Sequence, residues 1–156
     1  MTPEQLMRRA IELAQENVRT LRGGPFGAVV AREGEIIAEG TNLVTAINDP
    51  TAHAEVVAIR RACEKLGDFQ LTGCEIYTSC EPCPMCFGAI YWARPACIYY
   101  GATHADAAEA GFDDSFIYQQ LRLPPSRRNI PQVRLLESEA VQVFDAWKRA
   151  EGKQPY

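Results

Sequence analysis

Two short stretches of this chain bring together residue types that can bind a metal and move a proton: His53-Ala54-Glu55 and Pro82-Cys83-Pro84-Met85-Cys86. One imidazole and two thiolates form a donor set well matched to zinc. Cys83 and Cys86 are spaced to fall on one side of a helical turn, so both can reach a single ion. A helix start there would also favour thiolate over thiol. His53 stands where a second helix should open, so two helix starts facing one another would hold Zn2+ between His53, Cys83 and Cys86. Three protein ligands leave a fourth tetrahedral position for a water, which the ion makes nucleophilic near neutral pH. Glu55 follows His53 closely enough to stand beside that water without binding the ion. It is therefore the candidate catalytic acid–base.

Cys80 offers a competing reading. Together with Cys83, Cys86 and His53 it would complete a closed Cys₃His site, structural and without a reactive water. Pro82 argues against it, since a proline favours an extended conformation at Glu81 and ends the preceding strand. A closed site also leaves Glu55 without a task. Cys63, Cys74 and Cys97 read as small buried apolar residues, and His104 as a loop residue.

These groups need elements to hold them. Thr2-Pro3-Glu4-Gln5 has the capping chemistry of a helix start, and Leu6, Ala10, Leu13, Ala14, Val18 and Leu21 continue as one apolar stripe. A hairpin is expected from strands near 26–31 and 36–40 with its turn at 32–35. After a polar loop, Asp49-Pro50-Thr51 should cap a helix running to about Leu66. Strands are predicted over 73–79, 96–101 and 133–136, and helices over 83–92, 105–121 (interrupted at Gly111) and 138–151. Strands alternating with helices, plus one antiparallel hairpin, predict a three-layer α/β/α sandwich with a mixed central sheet of about five strands.

The 47% hydrophobic content supports a folded domain, and 156 residues suit a single one. A net charge of −4 does not favour a nucleic-acid partner, although Arg122, Arg127, Arg128 and Arg134 form a local basic cluster that reads as a solvated loop. The first residues carry charges throughout, and no apolar run is long enough to span a bilayer, so the expectation is a cytoplasmic protein with no membrane partner. In that compartment six cysteines are thiols or metal ligands rather than disulfides.

The His-x-Glu and Pro-Cys-x-x-Cys pair is the signature of zinc nucleobase deaminases. With it, the chain resembles the cytidine deaminase superfamily, and more closely its bacterial guanine deaminase branch. The resemblance is tightest at Gly23–Ala28, Asn48–Ala58, Tyr77–Pro95 and Asp106–Tyr118. It implies a cytidine deaminase-like fold, Zn2+ on His53, Cys83 and Cys86, and hydrolysis of guanine to xanthine and ammonia. It further implies substrate contacts from Asn42 and the Ala54 backbone, stacking walls from Phe26 and Trp92, and a second acidic group at Asp114. A lid containing Tyr156 and a homodimer in which a segment of about 138–156 is swapped complete the expectation. Plainer roles stay open for four of these residues: a turn-forming Asn42, core aromatics at Phe26 and Trp92, and a helix cap at Asp114.

Asp114 is the physical reason to prefer guanine. Guanine presents N1–H and its 2-amino group side by side, two donors that one carboxylate accepts together. Adenine and cytosine place a bare ring nitrogen beside their amino group, which would leave the carboxylate unmatched. A tRNA adenosine deaminase, the runner-up, would need a flipped nucleotide and a basic footprint. A guanosine deaminase shares the chemistry and differs only in admitting a ribose. A non-catalytic structural-zinc module is the reading from a different class.

Overall fold

The computed structural model describes residues 1–156 and resolves into two compact units, Met1–Asp114 and Ser115–Tyr156. The first unit begins with helix α1 (Pro3–Thr20). Thr2 and Gln5 close a reciprocal capping box, the Thr2 hydroxyl accepting from the Gln5 N–H and the Gln5 side chain accepting from the Thr2 N–H. Strands β1 (Gly27–Arg32) and β2 (Glu35–Thr41) pair antiparallel. Their two-residue turn has Glu33 and Gly34 both at positive φ (51° and 77°), the geometry whose twist matches that of a hairpin.

A short helix α2 (Val44–Ile47) takes the place of the polar loop expected there. Helix α3 (Ala54–Leu66) follows, then β3 (Glu75–Cys80), α4 (Pro84–Ala93), β4 (Cys97–Ala102) and α5 (His104–Glu109). The sheet order is β2-β1-β3-β4, with β1 antiparallel to β3 and β3 parallel to β4. The mixed sheet expected from sequence is therefore present, with four strands.

Alternation along β1 assigns its two faces. Val29 and Ala31 pack with Leu6, Ala10 and Leu13 of α1, while Ala28 and Val30 pack with Ala54, Ala58 and Ala62 of α3 and Ile90 of α4. Within this unit the layers are helix, sheet, helix. Two glycines permit the close approach: a Cβ on Gly27 would stand 2.3 Å from the Ala10 carbonyl, and one on Gly40 would stand 2.1 Å from the Ala54 carbonyl. The second approach presses the start of α3 onto β2 and so fixes where His53 and Glu55 stand.

The second unit contains α6 (Ser115–Arg122), a 3₁₀ turn (Pro125–Arg127) and α7 (Glu137–Arg149). The strand expected over 133–136 does not form. Pro131 removes a ladder donor just before it, and Leu136 takes the left-handed conformation (φ 51°) to cap α7. The apolar stripe of α1 also differs from expectation: Val18 and Leu21 are exposed, and Asn17 continues the buried face in their place. Position 17 lies a helical turn on from both Leu13 and Ala14, whereas position 18 does so only from Ala14. Cys74 is buried as expected, but Cys63 is half-buried and Cys97 exposed on the edge strand. His104 opens α5 instead of lying in a loop.

Candidate zinc site at two helix starts

His53 is the N-cap of α3 and Cys83 the N-cap of α4, each in an extended conformation and neither spending its side chain on capping. The cap of α3 therefore lies later than the Asp49-Pro50-Thr51 expected for it. Asp49 instead accepts from the N–H and hydroxyl of Thr51 in a local turn, at 2.8 and 2.6 Å. That turn delivers the chain to His53 with its imidazole free. Pro84, at the first position of α4, needs no N–H partner there and pre-sets the helical φ.

The two starts converge. Nδ1 of His53 lies 3.5 Å from Sγ of both Cys83 and Cys86, and the three ligand atoms all stand within 4.8 Å of one another. Bond lengths of about 2.0–2.3 Å from zinc to nitrogen and sulfur fit a triangle of that size. Cys80 stays outside the group: its buried thiol points to the Thr103 carbonyl, 3.6 Å away, and burial pushes its pKa up to about 11. The closed Cys₃His arrangement is thus not the one the fold builds. Cys83 is held as a thiolate, its pKa drawn down to about 4 first by the Cys86 thiol and then by His53. The same contact raises the Cys86 thiol, and the Cys83 thiolate raises His53. One anionic sulfur beside an imidazole and a second thiol is the donor chemistry of a thiophilic divalent ion.

Glu55 lies in the first turn of α3 and is 6% exposed. Desolvation raises its pKa, so it holds a proton more firmly than a free carboxyl would. The Thr78 hydroxyl, buried on β3, lies 3.4 Å from Glu55 Oε1 and donates to the Cys80 carbonyl at 2.9 Å. Sequence reasoning does not single out Thr78, since a threonine in a strand carries no signal of its own.

The remaining predicted residues fall as follows. Asn42 is buried after β2, with its Oδ1 accepting from the Gly24 and Val44 N–H groups at 3.4 and 3.2 Å. Ala54 is the first residue of α3, so its N–H has no carbonyl within the helix to bond. Phe26 is half-buried and meets Phe112 edge-on, with ring centroids 5.0 Å apart. Phe112 is a neighbour that sequence reasoning does not place near the site. Asp114 is half-buried, and its pKa is raised by that burial first and by the Cys83 thiolate second. Trp92 stands in the last turn of α4 and is 62% exposed, whereas that helix buries Cys86, Ile90 and Ala93. Tyr156 belongs to the other unit and is exposed.

A cluster of this make-up on two helix starts over a mixed sheet defines a zinc-dependent deaminase, and family comparison agrees. Residues 1–102 match the cytidine and deoxycytidylate deaminase zinc-binding region, and the chain belongs to that family. Over all 156 residues, covering the whole of both chains, it is 56% identical to a guanine deaminase of Bacillus subtilis. The X-ray structure of the Bacillus subtilis guanine deaminase superposes with a TM-score of 0.97, covering 100% of this chain and 99% of that one. A guanine deaminase from Nitrosomonas europaea gives a TM-score of 0.68 at 37% identity over 72% of this chain and 65% of its own. A tRNA-specific adenosine deaminase of Agrobacterium fabrum is 39% identical over 77% of each chain.

Proposed function

We propose that this protein hydrolyses guanine to xanthine and ammonia. The observation that carries the reading is a buried carboxylate, Glu55, in the helical turn that also presents the ligand His53. The full-length similarity to the Bacillus subtilis guanine deaminase supports guanine over other bases.

Zinc bound by His53, Cys83 and Cys86 supplies the Lewis acidity that lets a water act as nucleophile near neutral pH. Glu55 accepts one proton from the attacking water and delivers it to ring nitrogen N3 as the C2–O bond forms. It then carries the remaining hydroxyl proton to the 2-amino group as the C2–N bond breaks, so that one water and one guanine give xanthine and ammonia. Burial suits Glu55 to this shuttle because its raised pKa lies nearer the working pH. Asp114 accepts from N1–H and the 2-amino group. With its Oδ1 spent on backbone donors, Asn42 offers its amide N–H groups to an acceptor of the base, beside the N–H of Ala54. Phe26 and Trp92 supply stacking walls, and Tyr156 is part of a lid.

The reading extends to the whole molecule. Residues 1–156 act as one deaminase domain in a homodimer, with about 138–156 exchanged between copies. Exposed Phe87, Tyr91, Trp92 and Tyr100 on α4 and β4 suit an assembly face. All six cysteines are unpaired, in keeping with a cytoplasmic protein, and no helix is long and apolar enough to cross a membrane.

Ammonia release from zinc-loaded protein given guanine, guanosine, adenine, cytosine and a tRNA anticodon stem-loop tests the substrate. Turnover of guanine alone, or far above the rest, is the expected result. Preferential release from the stem-loop or from cytosine would overturn the proposal.

A further inference from the structure

Asn17 is the one polar residue on the buried face of α1, at 2% exposure among Leu6, Ala10, Leu13 and Ala14. A polar side chain in that stripe must have partners, because an unpaired buried amide is costly. Its two amide hydrogens have two acceptors: Nδ2 donates to the Gly24 carbonyl at 2.9 Å and to the Asn42 carbonyl at 2.8 Å. Gly24 belongs to the loop that leads into Phe26, and Asn42 ends the hairpin.

One side chain therefore ties together the two segments that carry Asn42 and Phe26. The tie is tight, since a Cβ on Gly23 would stand 2.1 Å from the same Asn42 carbonyl. Two further bonds close the assembly: Gly24 N–H donates to Asn42 Oδ1 at 3.4 Å, and Asn42 N–H donates to the Phe26 carbonyl at 3.2 Å. With Oδ1 committed and its backbone pinned, Asn42 has its amide N–H groups aimed by the fold before any ligand arrives. Such preorganisation lowers the ordering cost of binding.

We infer that Asn17 is a positioning residue for the purine, fixing Asn42 and the Phe26 loop without touching the base itself. The inference rests on the reading of Asn42 as a substrate contact. It also explains why an asparagine continues a stripe that an apolar side chain would fill more cheaply.

A double-mutant cycle tests it. Asn17→Asp keeps the volume but removes both donors and sets a carboxylate against two carbonyls. A contact made equally in ground and transition states affects KM and spares kcat. Asn17→Asp should therefore raise the guanine KM by about tenfold or more, with kcat and zinc content near wild type. In an Asn42→Ala background, which itself raises KM, the same substitution should add clearly less than in the wild type, because only the route through the Phe26 loop remains. Should Asn17→Asp not fold, Asn17→Ser, which keeps one donor, carries the cycle with a smaller KM effect. An Asn42→Ala enzyme with raised KM beside an Asn17 variant with unchanged KM would overturn the inference and leave the Asn42 reading intact. Equal KM effects of the Asn17 substitution in both backgrounds would also overturn it, as general loosening. An unchanged KM in Asn42→Ala would overturn both.

Discussion

At the scale of single residues, the division of labour among the sulfurs and carboxylates is the most exposed to test. Glu55 contributes no ligand atom to the His53–Cys83–Cys86 group, so Glu55→Gln should retain one zinc per chain and lose roughly 10²- to 10⁴-fold in kcat. Metal analysis and ammonia release on the same sample decide it, and turnover near wild type would dismiss Glu55 as the shuttle. Cys80 and Cys83 lie three residues apart yet differ in every respect that matters. Cys80 is a buried thiol bonded to the Thr103 carbonyl, and Cys83 is a thiolate facing His53. Cys80→Ser should keep zinc and activity, whereas Cys83→Ser should lose both. Zinc loss from the Cys80 variant would restore the closed site. For Asp114→Asn the amide packs in the same space but accepts one bond fewer and carries no charge. Guanine kcat/KM should fall by roughly 10- to 100-fold, and unchanged kinetics would reduce Asp114 to a structural role. Much of this is legible in the sequence because metal ligation and proton transfer restrict residue type and spacing severely. Thr78 and Phe112 are not legible there, since their relevance comes from the side chains the fold sets beside them.

Elements are readable where local chemistry decides them and less so where tertiary partners do. The Thr2–Gln5 capping box and the hairpin turn at 32–35 depend on neighbours in sequence, and both form as expected. The span 133–136 is different, because alternating apolar residues make a strand only when a partner pairs with them. The stripe of α1 departs from expectation at its end because Val18 is the more hydrophobic residue while Asn17 has the right angular position. One cross-element contact gives a pH prediction. Arg9 on α1 holds Glu39 on β2 through two bonds, at 2.7 and 3.0 Å, and this holds the Glu39 carboxyl below its ordinary value of 4.5. A carboxyl with a lowered folded pKa contributes stability in full above the unfolded value, and loses it as pH falls through the lowered one. The pair is about a third exposed, so Glu39→Gln should cost about 1 kcal/mol near pH 7, roughly 2–4 °C in Tm. Thermal melts across pH should show the gap between variant and wild type closing below pH 4.5. A gap independent of pH would mean that packing, not charge, joins α1 to β2.

Across the whole molecule, the two units differ in how far they can stand alone. Met1–Asp114 buries an apolar core on each face of its sheet, whereas no residue of Ser115–Tyr156 is fully buried. Phe144 is 67% exposed and Trp147 46%, with Val133, Leu135 and Leu136 exposed as well. Apolar surface in that amount needs cover, which is the physical argument for the proposed homodimer. The tail beyond α7 poses a separate question. From sequence, Glu151-Gly152-Lys153 reads as a spacer able to swing. The structure instead ties Lys153 to the end of α7, its ammonium donating to the Trp147 and Lys148 carbonyls. The arm beyond this tie begins at Gln154, and Pro155 stiffens what remains. A short, stiff arm carrying Tyr156 suits a lid better than a loose tail would, because its ring can be returned to one place. Covering the purine would exclude water and strengthen the electrostatics around Glu55 and Asp114. Deleting Gln154, Pro155 and Tyr156 should cut guanine turnover by about tenfold or more, with zinc content, melting temperature and sedimentation unchanged. Full activity in the truncated protein would make the arm an ordinary disordered end. Loss of the dimer together with folding would make it an assembly element. Only a loss of turnover in a protein that still binds zinc and still sediments as wild type supports a lid.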